Sequence, residues 1–222
     1  MGTIQAFLFD LDGVITDTSE FHFLAWQRLA REENLPFSRQ DNEALRGVGR
    51  RESLNLILKG KKISEATAVA WMERKNNYYI ELVKTMSARN LLPGAAELLA
   101  EIHLAGLKIA IVSSSKNTPL VLELLGLRVP LDTVVDGSTV ARSKPAPDLF
   151  LKAAELLGIL AARCVVVEDA AAGIEAGRAA GMYTLGLGPV ERVGQADLVL
   201  PDLSAAKLDD ILKRLAVNPS PS

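Results

Sequence analysis

The chain has 222 residues, of which 49% are hydrophobic, a formal net charge of -2 and a single cysteine. That is enough for one well-buried domain of ordinary size with a smaller insertion, and the slightly acidic balance excludes the basic face that nucleic acid or an anionic membrane would require. Cys164 has no partner for an internal disulfide and lies in the apolar run Cys164-Val-Val-Val167, which reads as a buried, inert thiol in a reducing compartment.

The opening Met-Gly-Thr-Ile-Gln runs directly into a strand-like segment at 4–9, without a basic leader or a long apolar stretch. Ala6 stands where a myristoylation signal needs Ser or Thr, so the expected location is the cytoplasm. Helical patterns follow near 19–34, 39–46, 51–59 and 64–87 with no strand among them. Leu24, Trp26 and Leu29 supply part of an apolar stripe in the first of these, and Pro36 and Gly47-Val48-Gly49 mark turns. From 94 onward, apolar runs at 107–112, 132–135, 164–167 and 197–200 alternate with helices at 94–105, 119–125, 147–157 and 171–180. That alternation is the rhythm of a parallel sheet. The expected fold is therefore α/β, a doubly wound, mostly parallel Rossmann-like core sheet with an inserted all-helical cap domain. Residues 1–16 and 88–222 form the core and 17–87 the cap. The two connections, near Thr16–Thr18 and Ser87–Pro93, are natural hinges. The Asn218-Pro-Ser-Pro-Ser222 tail is expected to fray.

Asp10 and Asp12 lie two residues apart at the carboxyl end of the first, very apolar strand, and the period-two geometry of an extended chain sends both side chains to one side. Ligands of open α/β sheets bind at that end. Two close carboxylates call for a cation, a shared proton, or both. Asp10-Leu-Asp-Gly-Val14 after a hydrophobic strand resembles the first motif of the haloacid dehalogenase superfamily. The resemblance implies that Asp10 is a nucleophile that carries phosphate and that Asp12 is the general acid and base.

Other segments supply what phosphoryl transfer requires. Glu168 and Asp169 end another strand, where Asp169 could cap the helix at 171–180 or the pair could help hold Mg2+. In the superfamily, carboxylates of Asp10 and of this pair hold the metal together with the backbone carbonyl of Asp12. Ser113 closes the strand at 107–112 and begins Ser-Ser-Ser-Lys-Asn-Thr-Pro at a helix start, a place suited to an anion. Lys144 lies in the proline-stiffened Ser143-Lys-Pro-Ala-Pro-Asp148, where a fixed cation can neutralise the acids and the transferring group. By the resemblance, Ser113 and Lys144 are the second-motif and third-motif residues.

The wider string Thr16-Asp-Thr18 with His22 and Trp26, then Gly47-Val48-Gly49-Arg50, Arg74-Lys75-Asn76, Ser113-Ser114-Ser115-Lys116-Asn117 and Ser143-Lys144, is similar to the β-phosphoglucomutases over nearly the whole chain. That family interconverts β-glucose 1-phosphate and glucose 6-phosphate through β-glucose 1,6-bisphosphate, which also activates the enzyme. The resemblance implies that Arg50, Ser115, Lys116 and Asn117 grip the phosphate not being transferred. It implies that His22 with Lys75 couples closure to Asp12, and that Thr18, Trp26, Gly47, Asn76 and Ser114 also serve substrate binding. The sequence departs from the family at 136–140, Gly49 and Ser114. The expected partner is a small phosphosugar, with no nucleic acid or membrane involved, and the expected state is a monomer. A sugar-phosphate phosphatase of the same fold is the rival. A signalling receiver domain is disfavoured by the helical insertion, and Gly186-Leu-Gly188 is no dinucleotide fingerprint because Glu191 replaces its third glycine.

Overall fold

The computed structural model describes residues 3–217; Met1, Gly2 and the tail 218–222 lie outside the described residues. Six strands, β1 (Ala6–Phe9), β2 (Lys108–Val112), β3 (Thr133–Val135), β4 (Cys164–Glu168), β5 (Tyr183–Leu187) and β6 (Leu198–Leu200), form one parallel sheet in the order β3-β2-β1-β4-β5-β6. The helices are α1 (Ser19–Glu32), α2 (Arg39–Glu43), α3 (Arg50–Leu58), α4 (Glu65–Val83), α5 (Ala95–Leu104), α6 (Thr118–Leu125), α7 (Asp148–Leu157), α8 (Ala171–Ala179), α9 (Val190–Val193) and α10 (Leu208–Val217).

All four residues of β1 are buried, because helices cover both faces of the sheet. Phe7 and Phe9, beside Ile109 and Ile111 and beside Val165 and Val167, face Leu98, Ile102, Val121 and Ile211 of α5, α6 and α10. Ala6 and Leu8 face the other way with Ala110, Val166 and Cys164, against Leu149, Phe150 and Ala153 of α7 and Ala176 of α8. Such strands read as continuous apolar runs, which is why five of the six strands were recognisable from composition alone. The sheet's order reverses direction between β1 and β4, so the ligand crevice belongs at their carboxyl ends.

The fifth strand of the sheet, β5, is an addition to the sequence reading. Its Tyr-Thr-Leu-Gly-Leu contains Gly186, which with Gly188 resembles a turn. In the fold Gly186 is tolerated in a strand because a Cβ there would meet Val193 at 2.8 Å and Ala196 at 3.0 Å, the close approach of α9 and its sequel.

Between β1 and β2 the chain builds helices α1 to α4, with a hydrophobic cluster of their own around Trp26, Leu29, Leu54, Ile57 and Ala68. Leu24 is not part of it: two residues from Trp26 is more than half a turn around the helix, and Leu24 is exposed. At the sheet end of the insertion, Ala25, Tyr79 and Val83 join the core cluster instead. The outgoing and returning connections are tied to each other: Leu92 N–H donates to the Ile15 carbonyl at 2.9 Å, and buried Thr16 donates its hydroxyl to the Asn90 carbonyl at 2.7 Å.

Candidate active site

Asp10 leaves β1 with its amide still in the ladder, donating to the Val167 carbonyl at 2.9 Å. One carboxylate oxygen accepts the Asp12 N–H at 2.9 Å, and the other accepts from the Lys144 ammonium. Lys144, 1% exposed, also donates to Glu168 Oε1 at 2.8 Å and to the Val112 carbonyl at 3.0 Å, and it sits 4.8 Å from the Phe150 ring centroid. Burial alone would push this ammonium's pKa down, but Asp10 and Glu168 beside it hold it above the ordinary value. Burial pushes the Asp10 carboxyl well up; Glu168 and Asp12 add to the rise and Lys144 opposes it.

Asp12 is gripped from the insertion. Its Oδ1 accepts from the Thr18 hydroxyl, which in turn accepts from Tyr79 Oη at 3.2 Å. Burial raises the Asp12 pKa to about 6 against the pull of Thr18. His22 stacks on Tyr79 with ring centroids 4.1 Å apart, and its Nδ1 lies 2.7 Å from Lys75 Nζ. Lys75 is 2% exposed, between the Trp26 and Tyr79 rings. Burial pushes both basic groups well below their ordinary pKa, and their mutual proximity adds to the fall for His22 as Arg50 does for Lys75.

Oxygens of Asp10, Glu168 and Asp169 lie within 4.8 Å of one another, an arrangement able to hold a hard cation. Asp169 does not cap α8. The helix begins after Ala170 without a side-chain cap, and Ala170 N–H donates instead to Glu168 Oε2 at 2.8 Å. Burial and Glu168 raise Asp169 to about 7, although Arg46 lies 3.3 Å and Arg192 3.7 Å from its Oδ2. Arg192 Nε also donates to the Asp169 carbonyl at 2.6 Å. Glycine is required at 173, where a Cβ would fall 1.8 Å from Glu168 Oε1.

Across the crevice, Ser113 continues β2 by donating its N–H to the Val135 carbonyl at 3.0 Å, and its hydroxyl accepts the Ser115 N–H at 3.1 Å. The Ser115 hydroxyl accepts the Asn117 N–H at 3.2 Å, which winds the loop into α6. Asn76 Oδ1 accepts from Arg50 Nη2 at 2.7 Å and from Asn117 Nδ2 at 2.8 Å, so one amide of α4 joins the insertion to the core. Ser114 Oγ donates to the Gly47 carbonyl at 2.9 Å.

A cavity of about 790 Å³ opens between the insertion and the sheet. Its wall includes Asp10, Asp12, Lys144 and Asp169, the loop 113–116, and His22, Trp26, Gly47, Arg50 and Lys75 from the insertion. Thr18, Asn76, Asn117 and Glu168 are not on that wall and stand behind residues that are. Sequence reasoning passed over Arg46, Tyr79, Gly173 and Arg192. Arg46 adjoins the glycine turn, and Tyr79 follows Lys75 by one helical turn, so both carried a signal. Arg192 carried none once β5 and the short helix after it went unread.

The family described as haloacid dehalogenase-like hydrolase matches residues 4–181. The chain is 41% identical over 210 residues to the β-phosphoglucomutase of Bacillus subtilis strain 168, covering 93% of each. It is 36% identical to hexitol phosphatase A of Escherichia coli strain K12, over 90% of this chain and 91% of that one. A crystal structure of β-phosphoglucomutase from Clostridium difficile superposes with a TM-score of 0.93 at 36% identity, covering 97% of this chain and 98% of the other.

The raised pKa of Asp12 has a consequence for stability. Native Asp12 keeps its proton up to about pH 6, whereas the unfolded residue loses it near 3.8, so between those values the native state binds more protons and stability falls as pH rises. Asp12→Asn keeps an acceptor for Thr18 and removes the charge. In metal-free protein, urea unfolding should find the variant more stable than the parent by about 3 kcal/mol at pH 7.5, with the gap closing as pH falls toward 4. A gap independent of pH would contradict this account.

Proposed function

The chain belongs to the haloacid dehalogenase-like hydrolase family, and from that membership we propose that it is a phosphosugar mutase. It interconverts β-D-glucose 1-phosphate and D-glucose 6-phosphate through an aspartyl phosphate on Asp10, with β-glucose 1,6-bisphosphate as intermediate and activator. The enzyme is an isomerase. It works as a cytoplasmic monomer, with a core of 1–16 and 88–222 and a closing lid of 17–87.

One observation carries this reading beyond the family's shared chemistry. The wall of a single cavity carries both the proposed nucleophile with its lysine and the guanidinium of Arg50, held through Asn76 to the core loop that bears Lys116. A hydrolase needs only the first of these sites. A mutase must also hold the phosphate that is not reacting, and must do so behind a lid that keeps water from the aspartyl phosphate.

Asp10 offers an oxygen to phosphorus, while Lys144 and the Ser113 loop face the charge that spreads over the equatorial oxygens. Asp12 gives its proton to the departing sugar oxygen and takes one from the sugar hydroxyl that attacks next. A pKa of about 6 leaves both forms accessible near neutral pH. After the first transfer the bisphosphate turns over, so that Arg50 and its neighbours grip the other phosphate. The acidic trio fits Mg2+: Asp10 and Asp169 are carboxyls whose pKa values are raised first by burial and then by the neighbouring Glu168, and their oxygens and those of Glu168 converge. Asp10, Asp169 and the Asp12 carbonyl would hold the ion. Both Glu168 oxygens are already engaged, by Lys144 and Ala170 N–H, so Glu168 supports the site from behind. Bound there, Mg2+ would neutralise the transferring phosphoryl group.

A coupled assay tests the reading: with Mg2+ and the bisphosphate, β-glucose 1-phosphate should yield glucose 6-phosphate and its α anomer should not. Release of inorganic phosphate without glucose 6-phosphate would instead make the chain a sugar-phosphate phosphatase. Asp10→Asn should abolish turnover, by at least about 10³-fold, since it removes the attacking oxygen. Arg50→Ala should lower mutase kcat/KM by about 10²-fold while acetyl phosphate hydrolysis falls less than about fivefold. Equal losses in the two assays would remove the distal-phosphate role.

A further inference from the structure

The turn Arg46–Gly49 of the insertion rests on three core loops at once. Arg46 reaches Asp169 at the end of β4. Gly47, with φ +73, passes so near the same loop that a Cβ would stand 3.1 Å from Ala170 Cβ. A Cβ on Gly49 would lie 2.8 Å from Ser143 Oγ, beside Lys144. The third support is the hydrogen bond from Ser114 Oγ to the Gly47 carbonyl, from the loop that follows β2. Glycine at 47 and 49 lets bare backbone settle onto the loops that carry the metal acids, the lysine and Ser113.

Ser114 is adjacent to the chemistry, yet its hydroxyl is committed to the insertion's main chain. The bond is neutral and needs neither phosphate nor metal, so, like the Asn76–Asn117 contact, it acts on the ligand-free protein. We propose that Ser114 is a positioning residue that latches the insertion over the cavity, and so governs how the phosphoryl group on Asp10 divides between sugar and water. The division depends on the mutase reading; the latch does not. In the competing reaction a water oxygen bonds to phosphorus, the bond from phosphorus to the Asp10 oxygen breaks, the water's proton passes to Asp12, and inorganic phosphate leaves. Every moment the insertion is unlatched while Asp10 is phosphorylated admits that water.

The test uses Ser114→Ala in the full chain. Trp26, 2% exposed, lines the cavity, while Trp71 packs within the insertion, so a Trp71→Phe background isolates a fluorophore that reports opening. Losing one neutral hydrogen bond should multiply the open fraction roughly fivefold, read as stronger acrylamide quenching of Trp26 in ligand-free protein. In the coupled assay, inorganic phosphate released per glucose 6-phosphate formed should rise by a similar factor, about fivefold. Quenching equal to the parent's overturns the latch, and raised quenching with an unchanged product ratio overturns its control over partition. Should the parent form no glucose 6-phosphate, the mutase reading fails, and quenching still decides the latch.

Discussion

The Lys144 ammonium, buried between Asp10 and Glu168, is the contact on which the rest of the site depends. Each of these ions costs several kcal/mol to take from water, and the cost is recovered only where geometry lets them compensate one another. Asp10 follows β1, Glu168 ends the adjacent β4, and Lys144 arrives from the loop before α7, so three remote segments must be in register before the charges cancel. The sheet provides that register because β1 pairs with β4 along its whole length. Compensation is incomplete even so. Burial, and behind it neighbouring carboxylates, keep the pKa values of Asp10, Asp12 and Asp169 raised, and carboxyls gathered in this way favour a small divalent cation over further lysines, which would block access to Asp10.

The proposed nucleophile and proton carrier are supported differently. Asp10 is held by core groups alone, the Asp12 amide and Lys144. Asp12 belongs to the core by chain position, but its carboxylate is oriented by Thr18 at the start of α1, and Thr18 by Tyr79 of α4. Movement of the insertion therefore changes proton transfer without disturbing the attacking oxygen. The paired connections at Ile15–Leu92 and Thr16–Asn90 concentrate such movement into a short double hinge directly beside Asp12. On the proposed mechanism, one rigid-body motion separates phosphoryl capture and proton transfer in time.

The parts of this arrangement that were legible in the chain are those with a strong local cause. Strand β1 and its terminal acids stood out because a doubly covered strand must be apolar throughout, and ionisable groups at its end have only the crevice to enter. The helical insertion was visible because nothing between 10 and 106 has the period of a strand. Strand β5 was hidden by Gly186, whose place in a strand depends on Val193 and Ala196 packing against it, a tertiary fact with no local trace. With β5 went α9, and with α9 the Arg192 that holds the Asp169 carbonyl. Asp169 itself was ambiguous between helix cap and metal ligand. The structure decides against the cap because the N-cap position falls on Ala170 and no side chain caps the helix.

Charged and neutral polar residues differ in how far sequence can assign them. A buried Lys144 or Asp10 has few stable solutions, since desolvation forces it toward opposite charge, and recognising one member of the set points to the others. Ser114, Asn76 and Asn117 have many solutions of nearly equal cost, because a hydroxyl or amide is satisfied by any single neighbour. In the fold Asn76 and Asn117 meet each other and Ser114 meets the Gly47 carbonyl. Charge locates the chemistry of this molecule, whereas the placement of its neutral donors, visible only in the fold, determines whether the cavity around that chemistry stays closed.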